Sequence, residues 1–282
     1  MSTANRPRRL FCFGLGYSGR ALARELLAGG WSVAGTCRSE QGLAELAALG
    51  VEPFRFDALP DGALDGTSHL LSSVPPDAGG DPVLIHHSAA LARLAGRLEW
   101  AGYLSTTGVY GDSGGAWVGE SSPLNPSSPR QARRVAAERA WAETLPIHIF
   151  RLAGIYGPGR SAIDQVRAGS ARRIDKPDHV FSRIHVDDIS NVLVASIARP
   201  NPGAVYNVCD DLPAEPAAVV LEACRLLGVE PPPPLPFAEA GLSPMAASFW
   251  RDNRRVRNDR IKRELGVTLR YPDYRSGLAA CL

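Results

Sequence analysis

Apolar and polar positions fall in alternating blocks through the first half of the chain. Residues 10–13 are a short apolar run ending at Gly14, the signal of a buried strand. Across 20–28 the apolar positions Ala21, Leu22 and Leu26 recur at helical spacing, and Gly29-Gly30 closes the segment. The same alternation predicts strands at 31–36, 51–56, 69–74 and 103–106 and a helix over 41–49. Asp81-Pro82, an N-cap followed by proline at the first helical position, opens a helix expected to run to about Leu98. Strand–helix alternation of this kind predicts an α/β fold, a doubly wound parallel sheet (Rossmann) with helices on both faces.

The pattern changes after the fifth strand. A Gly/Ser/Pro-rich loop covers 111–129, and Ser128-Pro129 caps a helix expected to reach Glu143. A sixth strand is expected at 147–152 and a seventh at 205–209, with irregular chain and one short helical stretch across 157–183. A helix over 214–227, the rigid run 231–234 and an Arg-rich tail complete the sequence. The expected division is a dinucleotide-binding domain of residues 1–156 plus 184–210, with a smaller C-terminal substrate lobe of 157–183 plus 211–282.

Composition narrows the class. At 282 residues and 45% hydrophobic, the chain can bury a sizeable core. A net charge of +2 offers no basic face for nucleic acid. The basic start at Arg6, Arg8 and Arg9 is followed by too few apolar residues for a signal peptide or a membrane span, so no membrane partner is expected. The five cysteines are scattered, without a C-x-x-C pair, which speaks against a disulfide framework or zinc site and for a reduced, cytoplasmic protein. No metal spacing appears among the histidines, and His86-His87 read as helix-surface residues. Lys176 and Lys262 are the only lysines, although Lys plus Arg total 31, so Arg has replaced Lys almost throughout.

The first candidate chemistry lies between the first strand and first helix. Gly14-Leu15-Gly16-Tyr17-Ser18-Gly19 is a G-x-G-x-x-G turn in its required context. Gly14 permits the tight turn, Gly16 lets the backbone approach a pyrophosphate, and Gly19 lets helix pack on strand. The helix N-terminus then offers N–H groups and a partial positive charge to the phosphates. After the second strand, Thr36-Cys37-Arg38-Ser39 carries no acid until Glu40. NAD sites usually place Asp or Glu there, whereas a 2′-phosphate calls for Arg. Arg38 and Ser39 therefore point to NADP, with NAD as the other candidate; the other reading of Arg38 is a solvated loop charge. Ser73, Val74 and Pro75, where the fourth strand ends, are further candidate cofactor contacts.

The chain resembles the extended short-chain dehydrogenase/reductase family of NAD-dependent epimerases and dehydratases. The resemblance runs through the glycine turn, 105–111 (STTGVYG), 151–159 (RLAGIYGPG), 183–188 (RIHVDD) and 205–208 (VYNV) in the family's order, and is nearest to its atypical bacterial members. It implies that Asp57 contacts adenine, that Thr106 is the catalytic Ser/Thr, and that a homodimer forms through the helices flanking strand five. It also implies a Tyr-x-x-x-Lys pair at the start of the following helix, three residues before Ala-Glu. Counted back from Ala137-Glu138, those positions hold Arg130 and Arg134. Arg cannot be deprotonated in a protein, so Arg130 cannot exchange a proton as the family's Tyr does. Arg134 can still donate to a nicotinamide ribose and fits the Lys-to-Arg bias. Thr106 either orients a substrate oxygen or bonds to backbone. Tyr110, Glu120, Tyr156 and His185 are the remaining acid/base candidates, each with a structural role as an alternative.

Two functions remain open at this point. One is an oxidoreductase or epimerase/dehydratase-like enzyme, NADP preferred, acting on a small polar, sugar-like substrate with altered proton handling and Arg130 holding an anionic group. The other is a non-catalytic NADP(H)-binding sensor or regulatory protein.

Overall fold

The computed structural model describes residues 8–282, so Arg6 lies outside the described residues. In chain order the first elements are β1 (Arg9–Phe13), α1 (Tyr17–Ala28), β2 (Ser32–Cys37), α2 (Glu40–Ala48), β3 (Glu52–Arg55), β4 (His69–Ser72), α3 (Pro82–His86), α4 (Ser88–Leu94) and β5 (Trp100–Thr106). A 3-10 turn (Thr107–Tyr110), β6 (Trp117–Val118), α5 (Pro129–Thr144), β7 (His148–Leu152), β8 (Gly154–Tyr156), α6 (Ala162–Arg167), β9 (Arg173–Asp175), β10 (Arg183–His185), α7 (Val186–Ala198) and β11 (Val205–Val208) follow. The chain ends with α8 (Pro216–Leu227), β12 (Pro234–Pro236), α9 (Pro244–Phe249), β13 (Arg255–Val256), α10 (Asp259–Leu265) and α11 (Tyr274–Ala279).

Seven strands form one parallel sheet in the order β11-β7-β5-β4-β1-β2-β3. Strand order reverses at β1, where β1 pairs with β2 on one side and β4 on the other, with Leu10 opposite both Val33 and His69. In open α/β sheets this switch point, at the carboxyl ends of the strands, is where ligands bind. Small pairs β8–β10, β9–β12 and β6–β13 stand apart from the main sheet.

The chain separates into two compact units, one of residues 1–105, 133–150 and 193–205, the other of 106–132, 151–192 and 206–282. The core of the first unit gathers Phe11, Phe13, Leu70, Tyr103, Trp141 and Ile149. Trp141 lies offset-stacked on Tyr103 at 5.9 Å, and its indole N–H donates to Asp81 Oδ2 at 2.9 Å. Asp81 also caps α3 through Val83 and Leu84, so one buried carboxylate fixes a helix start and a core indole together. The second unit has an apolar cluster around Tyr156, Ile163, Ala223, Tyr274 and Leu278, and a smaller one around Ile174, Ala240 and Trp250.

The single helix expected from Pro82 to Leu98 is broken at His87, which leaves helical geometry with φ −124° and ψ 16°. The ring of His87 lies half-buried against Phe13 (5.1 Å) and Phe56 (4.9 Å), where helix-surface exposure was expected. No described helix is long and apolar enough to cross a membrane.

Candidate functional site

The glycine turn is braced from two sides within the first unit. Gly14 adopts φ +74°, its N–H donates to Thr36 Oγ1 at 2.9 Å, and the Leu15 N–H donates to the Thr36 carbonyl at 2.8 Å. The Ser73 hydroxyl donates to the Gly14 carbonyl. A Cβ on Gly14 would stand 2.8 Å from Val74 Cγ2, so β4's exit packs directly on the turn. At Gly16 an added Cβ would meet only the Gly14 carbonyl, at 3.8 Å, leaving the backbone approachable there. At Gly19 it would meet Cys12 Sγ at 3.4 Å, which records the close packing of α1 on β1. Leu15 and Ser18 are buried, Tyr17 half-buried and Pro75 exposed. Gly16 is the N-cap of α1, and no side chain caps that helix. An approachable glycine backbone at an uncapped helix start is the arrangement a pyrophosphate needs, so the residues present fit a dinucleotide.

The charges beyond β2 are organised by Arg55, whose Cα lies opposite Cys37 in the β2–β3 register. Its guanidinium forks onto Asp57 at 2.9 and 3.0 Å and reaches Glu40 at 2.9 Å. This holds the exposed Asp57 carboxyl below the usual carboxylate range. Ser39 caps α2 by accepting from the Gly42 N–H at 3.1 Å. Arg38 is exposed at the end of β2.

At the end of β5, buried Ser105 donates to Glu138 Oε1 at 2.5 Å. The Thr106 hydroxyl oxygen accepts from the Gly108 N–H at 3.1 Å, which starts the 3-10 turn. Arg134 is anchored inward, donating to Tyr103 Oη at 2.8 Å and the Leu104 carbonyl at 3.0 Å. Arg130 is exposed, and its guanidinium carbon lies 4.4 Å over the ring of Phe249.

The second unit contains a cavity of about 940 Å³, in the size range of small-molecule sites. Five arginines line it: Arg130, Arg160, Arg172, Arg183 and Arg254. Thr106 is also on its wall. Among the described residues, the carboxylates in its lining are Asp164 and Asp252. Asp164 is committed to the Ser161 capping box, which holds its carboxyl low. Asp252 is buried and accepts from Ser127 Oγ (2.6 Å), Gln131 Nε2 (2.5 Å) and Arg254 (3.2 Å). The lining is therefore cationic, with both acids already satisfied.

The other acid/base candidates are structural in their contacts. Tyr110 donates to Asn207 and accepts from Arg151, and burial pushes its hydroxyl up. Glu120 accepts from the Asn207 N–H at 2.9 Å. His185 is buried, accepts from the Asp187 N–H, and is pushed down by desolvation. Tyr156 lines the cavity, but burial raises its hydroxyl far above the usual range.

Sequence reading missed most of the cavity. Arg183 sits inside the 183–188 motif, and Arg160 directly follows the 151–159 motif. Arg172, Arg254, Asp252 and Gln131 lie outside any motif and meet only through the fold.

The architecture is the Rossmann-like fold of the NAD-dependent epimerases and dehydratases, the extended short-chain dehydrogenase/reductase fold. Among solved structures of that class, UDP-glucuronic acid 4-epimerase from Bacillus cereus in complex with NAD has a TM-score of 0.78 at 16% identity, over 96% of this chain and 94% of that one. A conserved protein of unknown function from Silicibacter pomeroyi is 52% identical, with a TM-score of 0.92 over 97% of this chain and 98% of that one. The chain belongs to the same family as that protein. Protein YeeZ of Escherichia coli K12 is 28% identical over 94% of this chain and 97% of its own length. No family profile matches the chain.

Proposed function

We propose that this chain is a dinucleotide-dependent protein of the epimerase/dehydratase type, with NADP as preferred cofactor and a small, polar, anionic, sugar-like substrate. The observation that carries the cofactor choice is the charge arrangement beyond β2. Arg55 engages both nearby acids, Glu40 and Asp57, and Arg38 is left as the exposed cation at the strand end. An acid that is already paired is a poor acceptor for a ribose 2′-OH, and a guanidinium is a good donor to a 2′-phosphate. Solved structures of the same fold hold NAD, which supports a nicotinamide dinucleotide in the glycine turn here.

On this reading the backbone of Gly14–Gly19 receives the pyrophosphate, and Arg38 and Ser39 receive the 2′-phosphate. Asp57, Ser73, Val74 and Pro75 border the adenosine. Arg134 offers the nicotinamide ribose the donors that Tyr103 and Leu104 do not take. When bound, the nicotinamide supplies a hydride donor or acceptor. Residues 157–183 and 211–282 receive substrate. Thr106 orients a substrate oxygen with its hydroxyl hydrogen, because the oxygen already accepts from Gly108. Arg130 attracts the substrate's negative charge into the arginine-lined cavity and moves no proton.

A second reading, a non-catalytic NADP(H)-binding protein, is favoured by the engaged state of the cavity's acids and the raised Tyr156. Turnover separates the two. Wild type and Arg130→Tyr are assayed with NADPH and NADP against a panel of carbonyl compounds and sugar nucleotides. The enzyme reading expects turnover by wild type. Turnover by Arg130→Tyr alone would contradict it and favour the binding protein.

A further inference from the structure

Between buried Ala240 and buried Trp250, none of the nine residues 241–249 is buried. Gly241 starts this segment in the left-handed region, at φ +51°. Helix α9 occupies most of the rest, capped by Ser243, whose hydroxyl accepts from the Ala246 N–H at 3.2 Å. The two ends are fastened. The Ala240 carbonyl accepts from Arg172, and the Trp250 carbonyl accepts from Lys176 Nζ at 2.6 Å. Beyond Trp250, Asp252 is tied to Ser127 and Gln131. Leu242 packs half-buried on the Ile174, Ala240 and Trp250 cluster, but α9 itself buries none of its residues. A helix anchored at both ends with so little buried apolar contact has the profile of a low-stability opening unit.

This segment is part of the cavity wall. Ala246, Ser248 and Phe249 of α9 line the cavity together with Trp250. Phe249 is 48% exposed, a large apolar side chain that burial does not hold. Its described ring contact is the Arg130 guanidinium, 4.4 Å away, within cation–π range.

We propose that α9 is a lid over the arginine-lined cavity, and that Phe249 is its latch, closing on Arg130. Arginine at this position then has a positive role in addition to the loss of a proton-exchanging group, since a tyrosine there would offer Phe249 no cation. The proposal rests on the cavity being the substrate site. An anion drawn to Arg130 forms charge-assisted hydrogen bonds stronger than an exposed cation–π contact, so ligand entry and lid release act on the same side chain.

The test needs no ligand. Amide hydrogen exchange of the peptide spanning 241–250 is followed by mass spectrometry in the intact protein, with β5 as internal reference. An exposed cation–π contact corresponds to an opening equilibrium shifted about 2- to 5-fold. Exchange across 241–250 is therefore expected to rise by that factor in Arg130→Gln and in Phe249→Leu, and to stay at or below the wild-type rate in Phe249→Trp. Wild-type exchange in both Arg130→Gln and Phe249→Leu would overturn the latch. So would equal exchange in Phe249→Leu and Phe249→Trp. If the cavity binds no anion, these rates are unaffected, so the lid and the substrate assignment fail separately.

Discussion

The glycine turn of the first unit and the arginine-lined cavity of the second are built on opposite plans. The turn is made of backbone. Gly14, Gly16 and Gly19 act by what they lack, and all of its parts come from one short stretch braced by Thr36 and Ser73. The cavity is made of side chains drawn from positions between 106 and 278. A backbone site tolerates drift in composition, because replacing Lys with Arg elsewhere leaves it intact. A side-chain site changes its chemistry with each replacement. This contrast teaches that a site built from backbone can persist while a site built from side chains is altered residue by residue.

Four predictions bear on the comparison, the largest effect first. Each unit holds a buried histidine whose pKa is lowered strongly. His69 packs edge-on against Trp31 at 4.6 Å, and His179 stacks on Trp250 at 5.5 Å. Burial lowers both from 6.5 to about 4. The unfolded chain therefore takes up protons first, and stability is full above pH 6.5 and lost as pH falls toward 4. Each ring is expected to cost about 2 kcal/mol at pH 5. Urea unfolding midpoints at pH 7.5 and 5.0 check this; a midpoint that does not move contradicts it, and His69→Gln should remove the first unit's share.

Next in size, Arg38→Ala should weaken NADP binding about 10- to 150-fold, the worth of a charge-assisted contact, and leave NAD unchanged. Gly14→Ala follows, because it combines positive φ with a clash against Val74. A cost of about 1–2 kcal/mol should weaken both dinucleotides alike, by roughly 5- to 30-fold in a fluorescence titration. The smallest effect is expected from Arg130→Gln. A change in the side-chain site should leave both dinucleotide affinities within about twofold of wild type. A large loss there would merge the two sites that the comparison separates.

Legibility in the sequence followed the same division. The units from β1 to β5 announce themselves by period and by glycine or proline stops, because each is local. The break at His87 was invisible, since it depends on two phenylalanines, Phe13 and Phe56, that are distant in sequence. Helix α7 was passed over although Val186, Ile189, Val192 and Leu193 are buried at helical spacing. The R-I-H-V-D-D motif in front of it had been read only as a motif. The two-residue strands β6 and β13 carry no periodic signal at all. At the site, Gly14–Gly19 was readable from spacing, but Arg55's hold on Glu40 and Asp57 needed the register of β2 against β3. Asp252 binds Gln131 across 121 positions, which no local pattern encodes.

The central claim is that the first unit is a dinucleotide site whose charge favours a 2′-phosphate. Calorimetric titration of the wild-type protein with NADP and with NAD, in one buffer and at one ionic strength, tests it most directly. The account predicts NADP to bind about tenfold or more tightly, as one charge-assisted guanidinium–phosphate contact provides. Equal affinity for the two, or tighter binding of NAD, would contradict it.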